Sequence, residues 1–531
     1  MHQTQNYTIC KHMSASTSSD TKPLQNKDPF KKPPVKENEK DLIETYGFFE
    51  AFHTWRNVSS LEKTEEKVLS MLPIFPESAD PNIRAEIINT PIDYKVPGTS
   101  SGNYIHEFYI ENNNSSASED HEVVMVHGYG AALGMFFNNF ESLGKLPGIK
   151  LHCLDLLGFG LSSRPAFPKR ETPSNKWFSH FWKQNKHQPN FIMDEEYKVY
   201  TSLKDVENAE NFFLDSLESW RIKKNLDNFT LIGHSLGGYL SCCYALKYPE
   251  RVNKLVLVSP VGVETSVFDL GELEKQKKKQ QSLGHDVQNA HKTIKIYTSS
   301  NEPVEKEELG PDVAKEMEST EALEAKKEHS ENSENSENSA ANNKNNNNNN
   351  NSSIKTSSSF LVPNEHGHVE KIPNVSGMLK YLWVKEISPF SVLRAMGPVG
   401  AKMASQWAFR RFSGLPDQQS VLLMHEYVYG GFKLPGSGEK CLTRILGPGA
   451  LAYNPLLKRA PQNLQCDSLW LYGDVDWMSK EAGKVMVNKI NETNLLGKKA
   501  QYKIIENAGH HLYLDNPDDF NSTLTKFLDF K

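Results

Sequence analysis

Ser235 stands in the pentapeptide Gly233-His234-Ser235-Leu236-Gly237, after an apolar run (Phe229, Leu231, Ile232) and before a helical stretch from Tyr239 to Tyr248. A strand that turns sharply into a helix holds its apical serine in strained φ/ψ, and the flanking glycines let the two elements approach. The next backbone N–H then points out of the helix N-terminus, where partial positive charge gathers. An exposed hydroxyl beside such a donor suits attack on an acyl carbonyl, provided a base removes the proton. The base is found near the end of the chain. Tyr502-Lys503-Ile504-Ile505 has the character of a strand and leads into Asn507-Ala508-Gly509-His510-His511. His510, one residue past a glycine, takes the position of the general base, and His511 points elsewhere. The strand-like Leu469-Trp470-Leu471-Tyr472 runs into Gly473-Asp474-Val475-Asp476. Asp476 is favoured over its neighbour Asp474 as the acid, because it lies deeper in the loop after that strand. Ser235, Asp476 and His510 follow the chain order of a triad carried on successive strand ends.

A triad of this kind needs donors for the oxyanion, and the loop after Glu122-Val123-Val124-Met125-Val126 offers them as His127-Gly128-Tyr129-Gly130. The backbone N–H groups of Tyr129 and Leu236 are the expected pair, aimed at the tetrahedral intermediate. Downstream, Gly158-Phe159-Gly160 follows the strand Leu151–Asp155. It lacks the third glycine and the lysine of a phosphate loop, so it is a turn and no nucleotide or other cofactor is expected. The six cysteines show neither metal-ligand spacing nor a disulfide framework, and adjacent Cys242 and Cys243 look like buried reduced thiols. With 60 basic against 66 acidic residues the net charge is −6, which gives no support for a nucleic-acid partner. No run of about 18 apolar residues occurs, so any membrane contact is expected to be peripheral.

These residues need a scaffold, and strand and helix patterns alternate from about residue 84 through Leu255-Val256-Leu257-Val258, as a parallel sheet with crossover helices requires. Composition divides the chain further. Residues 1–40 are polar and Pro/Lys-rich, as a disordered terminus would be. The first 19 residues hold no acid and several Ser and Thr, which leans toward a transit peptide, although they hold no arginine and a single lysine, Lys11. Residues 41–262 form the first part of the core, and 263–372 are a low-complexity insertion with a Ser-Glu-Asn repeat (Ser330 to Ser339) and the tract Asn345 to Asn351. Residues 373–462 fall where a lid belongs, and 463–531 complete the core. Within the lid no acidic residue occurs from Ile387 to Pro416, whereas Arg394, Lys402, Arg410 and Arg411 alternate with Met403, Trp407 and Phe412. Such a stretch fits either the surface of anionic lipids or a lid helix with a solvated basic face. Lys176-Trp177-Phe178 and Phe181-Trp182-Lys183 are a second aromatic-basic cluster.

Several segments resemble one family. Trp55-Arg56, Val126-His127-Gly128-Tyr129-Gly130-Ala131, Ser216–Arg221, Gly233–Tyr239, Ser391–Pro398 and Gly509–Pro517 together resemble the α/β-hydrolase subfamily of human abhydrolase-domain proteins 4 and 5 and their fungal relatives. The resemblance covers roughly residues 42–262 and 373–531, and the asparagine-rich insertion is not part of it. It implies an α/β-hydrolase fold, a mostly parallel twisted sheet flanked by helices, with a helical lid and a phospholipid substrate. Fungal members include a mitochondrial cardiolipin deacylase, which implies cardiolipin deacylation at the inner mitochondrial membrane, with cytosol or lipid droplet as alternatives. Others transfer an acyl group from acyl-CoA to lysophosphatidate, an activity linked in the family to the His-x4-Asp pattern that His510 and Asp515 reproduce here. A member without its nucleophile acts as a lipase co-activator; the intact Ser235 argues against that role.

Overall fold

The computed structural model describes residues 46–96, 102–114, 121–170, 201–273, 275, 363–369, 377–415, 417–493 and 497–529. The polar N-terminus, the asparagine tract and the Lys176–Lys183 cluster lie outside these residues.

Eight strands form one sheet: β1 (Ile83–Ile92), β2 (Asn103–Asn112), β3 (His121–Val126), β4 (Ile149–Leu154), β5 (Phe229–His234), β6 (Val252–Val258), β7 (Asp467–Gly473) and β8 (Ala500–Ile505). Their spatial order is β1-β2-β4-β3-β5-β6-β7-β8. The first two pairings, β1 with β2 and β2 with β4, are antiparallel, and every later one is parallel. Sequence explains the difference. The central strand β5 is buried along its whole length, as a strand covered on both faces must be. Edge strand β1 alternates buried Ile83, Ala85 and Ile92 with exposed positions, the pattern of a strand with one wet face.

Helices cover both faces. On one side α4 (Leu203–Lys223), α5 (Leu236–Lys247) and α10 (Lys480–Thr493) bury Phe212, Trp220, Tyr239 and Met486. On the other, α2 (Leu61–Leu69), α3 (Phe137–Gly144) and α11 (Pro517–Phe527) bury Val68, Phe140 and Phe520 against Phe108 and Ile232. Between β6 and β7 the chain builds a lid from α6 (Gly377–Val384), α7 (Pro389–Ala395), α8 (Pro398–Arg411) and α9 (Gln418–Lys433). The preceding helix α1 (Phe48–Asn57) packs on it where Ala51 meets Ala401, Ala404 and Tyr429. Small residues there let the helices approach closely.

The low-complexity insertion is pinned at its root. Thr265–Ser266 pair in parallel with His368–Val369, and Phe268, Leu270 and Val369 are buried with Val206, Leu451 and Tyr453. The folded body therefore extends into both ends of the 263–372 segment that composition marked as inserted. No helix among the described residues is long and apolar enough to cross a membrane.

Candidate active site

Ser235 sits between β5 and α5 with φ 54° and ψ −115°, a conformation that costs energy for any residue with a side chain. The neighbouring backbone holds it there: its N–H donates to Val258 O at 2.9 Å, and its carbonyl accepts from Tyr239 N at 3.1 Å. The glycines on either side are required by space. A Cβ on Gly233 would lie 2.3 Å from Ser241 Oγ, and one on Gly237 2.4 Å from the His127 carbonyl.

Three strand ends bring Ser235, His510 and Asp476 together. His510 Nε2 lies 2.9 Å from Ser235 Oγ, and Nδ1 lies 3.1 Å from Asp476 Oδ1. That Asp476 oxygen also accepts from Met478 N at 3.0 Å, and the other accepts from the Ser259 hydroxyl. Burial works to raise the Asp476 carboxyl. The hydrogen bond and charge of His510, with the Met478 and Ser259 donors, outweigh it and hold the group below the usual carboxylate range. Asp476 is thus a buried carboxylate held against the imidazole, the arrangement that the acid of such a triad requires. Sequence alone did not mark Ser259, although it directly follows β6 and stands opposite the acid.

The loop that carries His510 is braced from two sides. Asp474, the alternative acid, accepts from Ala508 N at 2.7 Å, and Asp515 accepts from Gly509 N at 3.0 Å. His234 Nε2 donates to the His510 carbonyl at 2.9 Å. Burial first, and then the nearby His510, keep His234 well below the ordinary histidine range, so it stays neutral. His511 is neutral for the same first reason, and its ring lies against His234 and Tyr513.

The loop after β3 presses on the nucleophile: a Cβ on Gly128 would be 2.9 Å from Ser235 Cβ. His127 shapes this loop by donating from Nδ1 to Gly128 O (2.8 Å) and accepting Leu156 N–H at Nε2 (3.1 Å). Burial lowers its pKa, in keeping with that neutral tautomer. Among the described residues the N–H groups of Tyr129 and Leu236 enter no hydrogen bond within the protein, as an oxyanion hole requires. The Tyr129 ring stacks on Phe390 (5.2 Å), Phe390 on Phe432 (4.6 Å), and Trp407 lies 6.1 Å beyond. Beside this ladder a small pocket opens between lid and loop, lined by Leu61, Ala131, Phe390, Val428 and Phe432 and also by the charged Arg164 and Glu439.

The lid cations divide into two groups. Arg394 turns inward to Glu439 and to the carbonyls of Phe432 and Leu434. Arg411 bonds Asp515 at 2.7 Å and the His511 carbonyl at 3.3 Å. Neither is free to meet lipid, because carboxylates distant in sequence neutralise them. Lys402, Trp407 and Arg410 remain at the surface. A separate buried cluster of Glu65, His106 and Asp155 brings three potential metal ligands within 4.8 Å of one another. Each is already hydrogen-bonded within the protein, His106 to Glu65 at 2.6 Å, Glu65 to Tyr427 at 2.8 Å, and Asp155 to Leu133 and Leu161 N–H. It holds the wall behind the oxyanion loop.

This geometry has counterparts in sequence. The chain is 27% identical to Protein ECM18 of Saccharomyces cerevisiae over 80% of its own length and 74% of that protein. It is 25% identical to the 1-acylglycerol-3-phosphate O-acyltransferase ICT1 of the same yeast, over 76% of its length and 81% of that chain. Over a shorter span, 26% of this chain and 30% of the other, it is 38% identical to the human (lyso)-N-acylphosphatidylethanolamine lipase. Residues 122–517 match the family model of the alpha/beta hydrolase fold, and the chain belongs to that family.

Proposed function

We propose that the protein removes an acyl chain from a glycerophospholipid through a serine acyl-enzyme. The carrying observation is the His510 imidazole bridging Ser235 Oγ and Asp476 Oδ1. His510 takes the hydroxyl proton as Ser235 attacks the ester carbonyl, the Tyr129 and Leu236 N–H groups receive the oxyanion, and His510 then protonates the leaving alcohol. Water, activated by the same imidazole, releases the fatty acid. The apolar side chains of Leu61, Phe390 and Phe432 near the Tyr129 loop suit contact with an acyl chain. Cardiolipin is the substrate placed first, with the inner mitochondrial membrane as the site of action.

Contact with an anionic bilayer is part of this reading. On α1 the side chains of Phe48, Phe49, Phe52 and Trp55 are exposed, and on the packed helix α8 so are Val399, Met403 and Trp407. A solvent-facing apolar patch of that kind, with Lys402 and Arg410 beside it, suits a membrane surface. A second reading is transfer of the acyl group from acyl-CoA to lysophosphatidate, supported by the names of the yeast and plant relatives.

Mass spectrometry of products separates these readings. Purified protein is given cardiolipin vesicles, or lysophosphatidate with acyl-CoA, each beside Ser235→Ala. Monolysocardiolipin and free fatty acid that vanish in the variant support the deacylase. Phosphatidate without fatty acid supports the transferase, and products that persist with Ser235→Ala refute both.

A further inference from the structure

The lid and the catalytic loop share one carboxylate. Asp515 Oδ2 accepts from Gly509 N, the residue before His510, at 3.0 Å, while Oδ1 takes Arg411 Nη1 at 2.7 Å. Arg411 is the last residue of lid helix α8, and its Nη2 also donates to the His511 carbonyl at 3.3 Å. The side chains are 16% and 24% exposed, so the pair is partly shielded from solvent. The core braces the loop through Asp474 to Ala508 N, Val475 N to Ala508 O and His234 to the His510 carbonyl, and the Asp515 brace is the one shared with the lid. Both Asp515 oxygens are thus engaged, one on the loop and one on the lid.

We infer that Arg411 and Asp515 are positioning residues that tie the lid to the His510 loop, so that the seat of the catalytic imidazole depends on the place of the lid. The inference rests on the serine acyl-enzyme reading above. Without Asp515 the Ala508 amide and the His510 carbonyl are still held, by Asp474 and His234, but the Gly509 N–H between them loses its partner and the peptide that carries the His510 side chain can turn. Displacement of a catalytic group by about 1 Å can cost as much as 100-fold in rate.

The test uses the full chain and a fluorophosphonate probe that labels an activated serine, together with kinetics on a soluble short-chain ester. Wild type, Ser235→Ala, Arg411→Gln, Asp515→Asn and the double variant are compared, with thermal melting by circular dichroism alongside. Each single variant is expected to label about 10- to 100-fold more slowly, through kcat with KM little changed, while the fold persists. The double variant should be no slower than the worse single one, since the pair acts as a unit. Wild-type labelling rates in the single variants would overturn the inference, as would losses that multiply in the double. Absence of labelling in wild type itself would instead overturn the acyl-enzyme reading. If a substitution unfolds the chain, Arg411→Lys carries the test, because lysine keeps the charge but not the two-pronged geometry; normal labelling with that variant would equally refute the clamp.

Discussion

Replacing Asp476 by asparagine tests how the acid works. In a triad whose asparagine variant presents its NH₂ group to the histidine, the imidazole adopts the wrong tautomer and about 10⁴ in kcat is lost. Here the surroundings choose the amide orientation. Oδ1 accepts from Met478 N at 3.0 Å as well as from His510 Nδ1 at 3.1 Å. A backbone N–H can only donate, so the amide oxygen of Asp476→Asn belongs at that position. Its NH₂ then faces Ser259, whose hydroxyl both donates and accepts and can rotate to receive it. The tautomer survives, and what is lost is the negative charge opposite the imidazolium. Unit charges about 4 Å apart attract by about 4 kcal/mol at an effective dielectric constant near 20. At about 1.4 kcal/mol per decade this is a factor of roughly 10³, of which the amide dipole retains a part. We therefore expect kcat/KM on a soluble ester to fall by about 10² to 10³, with Asp476→Ala well below that. A loss of about 10⁴ or more, equal to that of the alanine variant, would mean that the amide has turned, and would refute the reasoning.

Three further outcomes follow from the same structure. Glu264 is wholly buried and its carboxyl is pushed up from 4.5 to about 7 by burial. A folded value above the unfolded one gives stability that is present at low pH and lost as the pH rises through about 7, here roughly 3 kcal/mol at about 1.4 per unit. Glu264→Gln should therefore overtake wild type in melting midpoint between pH 5 and 8, and parallel curves would contradict this. Gly237→Ala drives a Cβ to 2.4 Å from the His127 carbonyl, so it should cost about 1–3 kcal/mol of stability and displace the Tyr129 N–H; calorimetry and ester turnover measure both, and an unaffected turnover would count against the oxyanion assignment. Reversing the surface cations with Lys402→Glu and Arg410→Glu should weaken sedimentation with anionic vesicles while turnover of a soluble ester persists. Equal binding by the charge-reversed protein would remove the bilayer contact from the proposal.

Legibility in the sequence followed the range of the interactions. The turn at Ser235 and the Gly509-His510 loop are local backbone signatures, readable because a few adjacent residues determine them. Asp474 and Asp476 are two residues apart and chemically identical, so local pattern could favour one but not show what the other does. The structure assigns Asp474 to the Ala508 amide, a contact made by the parallel pairing of β7 with β8. The lid shows the same limit more sharply. An acid-free run from Ile387 to Pro416 looks like a free cationic face, yet Arg394 and Arg411 find Glu439 and Asp515, 45 and 104 residues further along the chain. Charge counted within a window cannot anticipate partners supplied by another element. At the insertion, low complexity in the middle of the segment masks the apolar anchors Phe268, Leu270 and Val369 at its ends, which a composition window averages away.

The division of labour in the site bears on which acceptor completes the reaction. Deacylation needs an oxygen nucleophile whose proton His510 can remove, and a water molecule and a lipid hydroxyl satisfy that equally. The triad and the Tyr129 and Leu236 donors therefore treat hydrolysis and transfer alike. Selection belongs to the groups that decide which hydroxyl reaches the acyl-enzyme. The lid comes nearest to that role where Phe390 on α7 is seated on Gly130 so closely that a Cβ there would lie 2.2 Å from its ring, with Phe432 on α9 stacked behind it. On the reading proposed above, this wall of stacked rings beside the Tyr129 loop lies against the acyl chain while water reaches the acyl-enzyme; phosphatidate formed from lysophosphatidate and acyl-CoA would mean that it admits a lipid hydroxyl instead. With Arg411 bonded to Asp515 and to the His511 carbonyl, the lid that covers this wall also reaches the loop that carries His510.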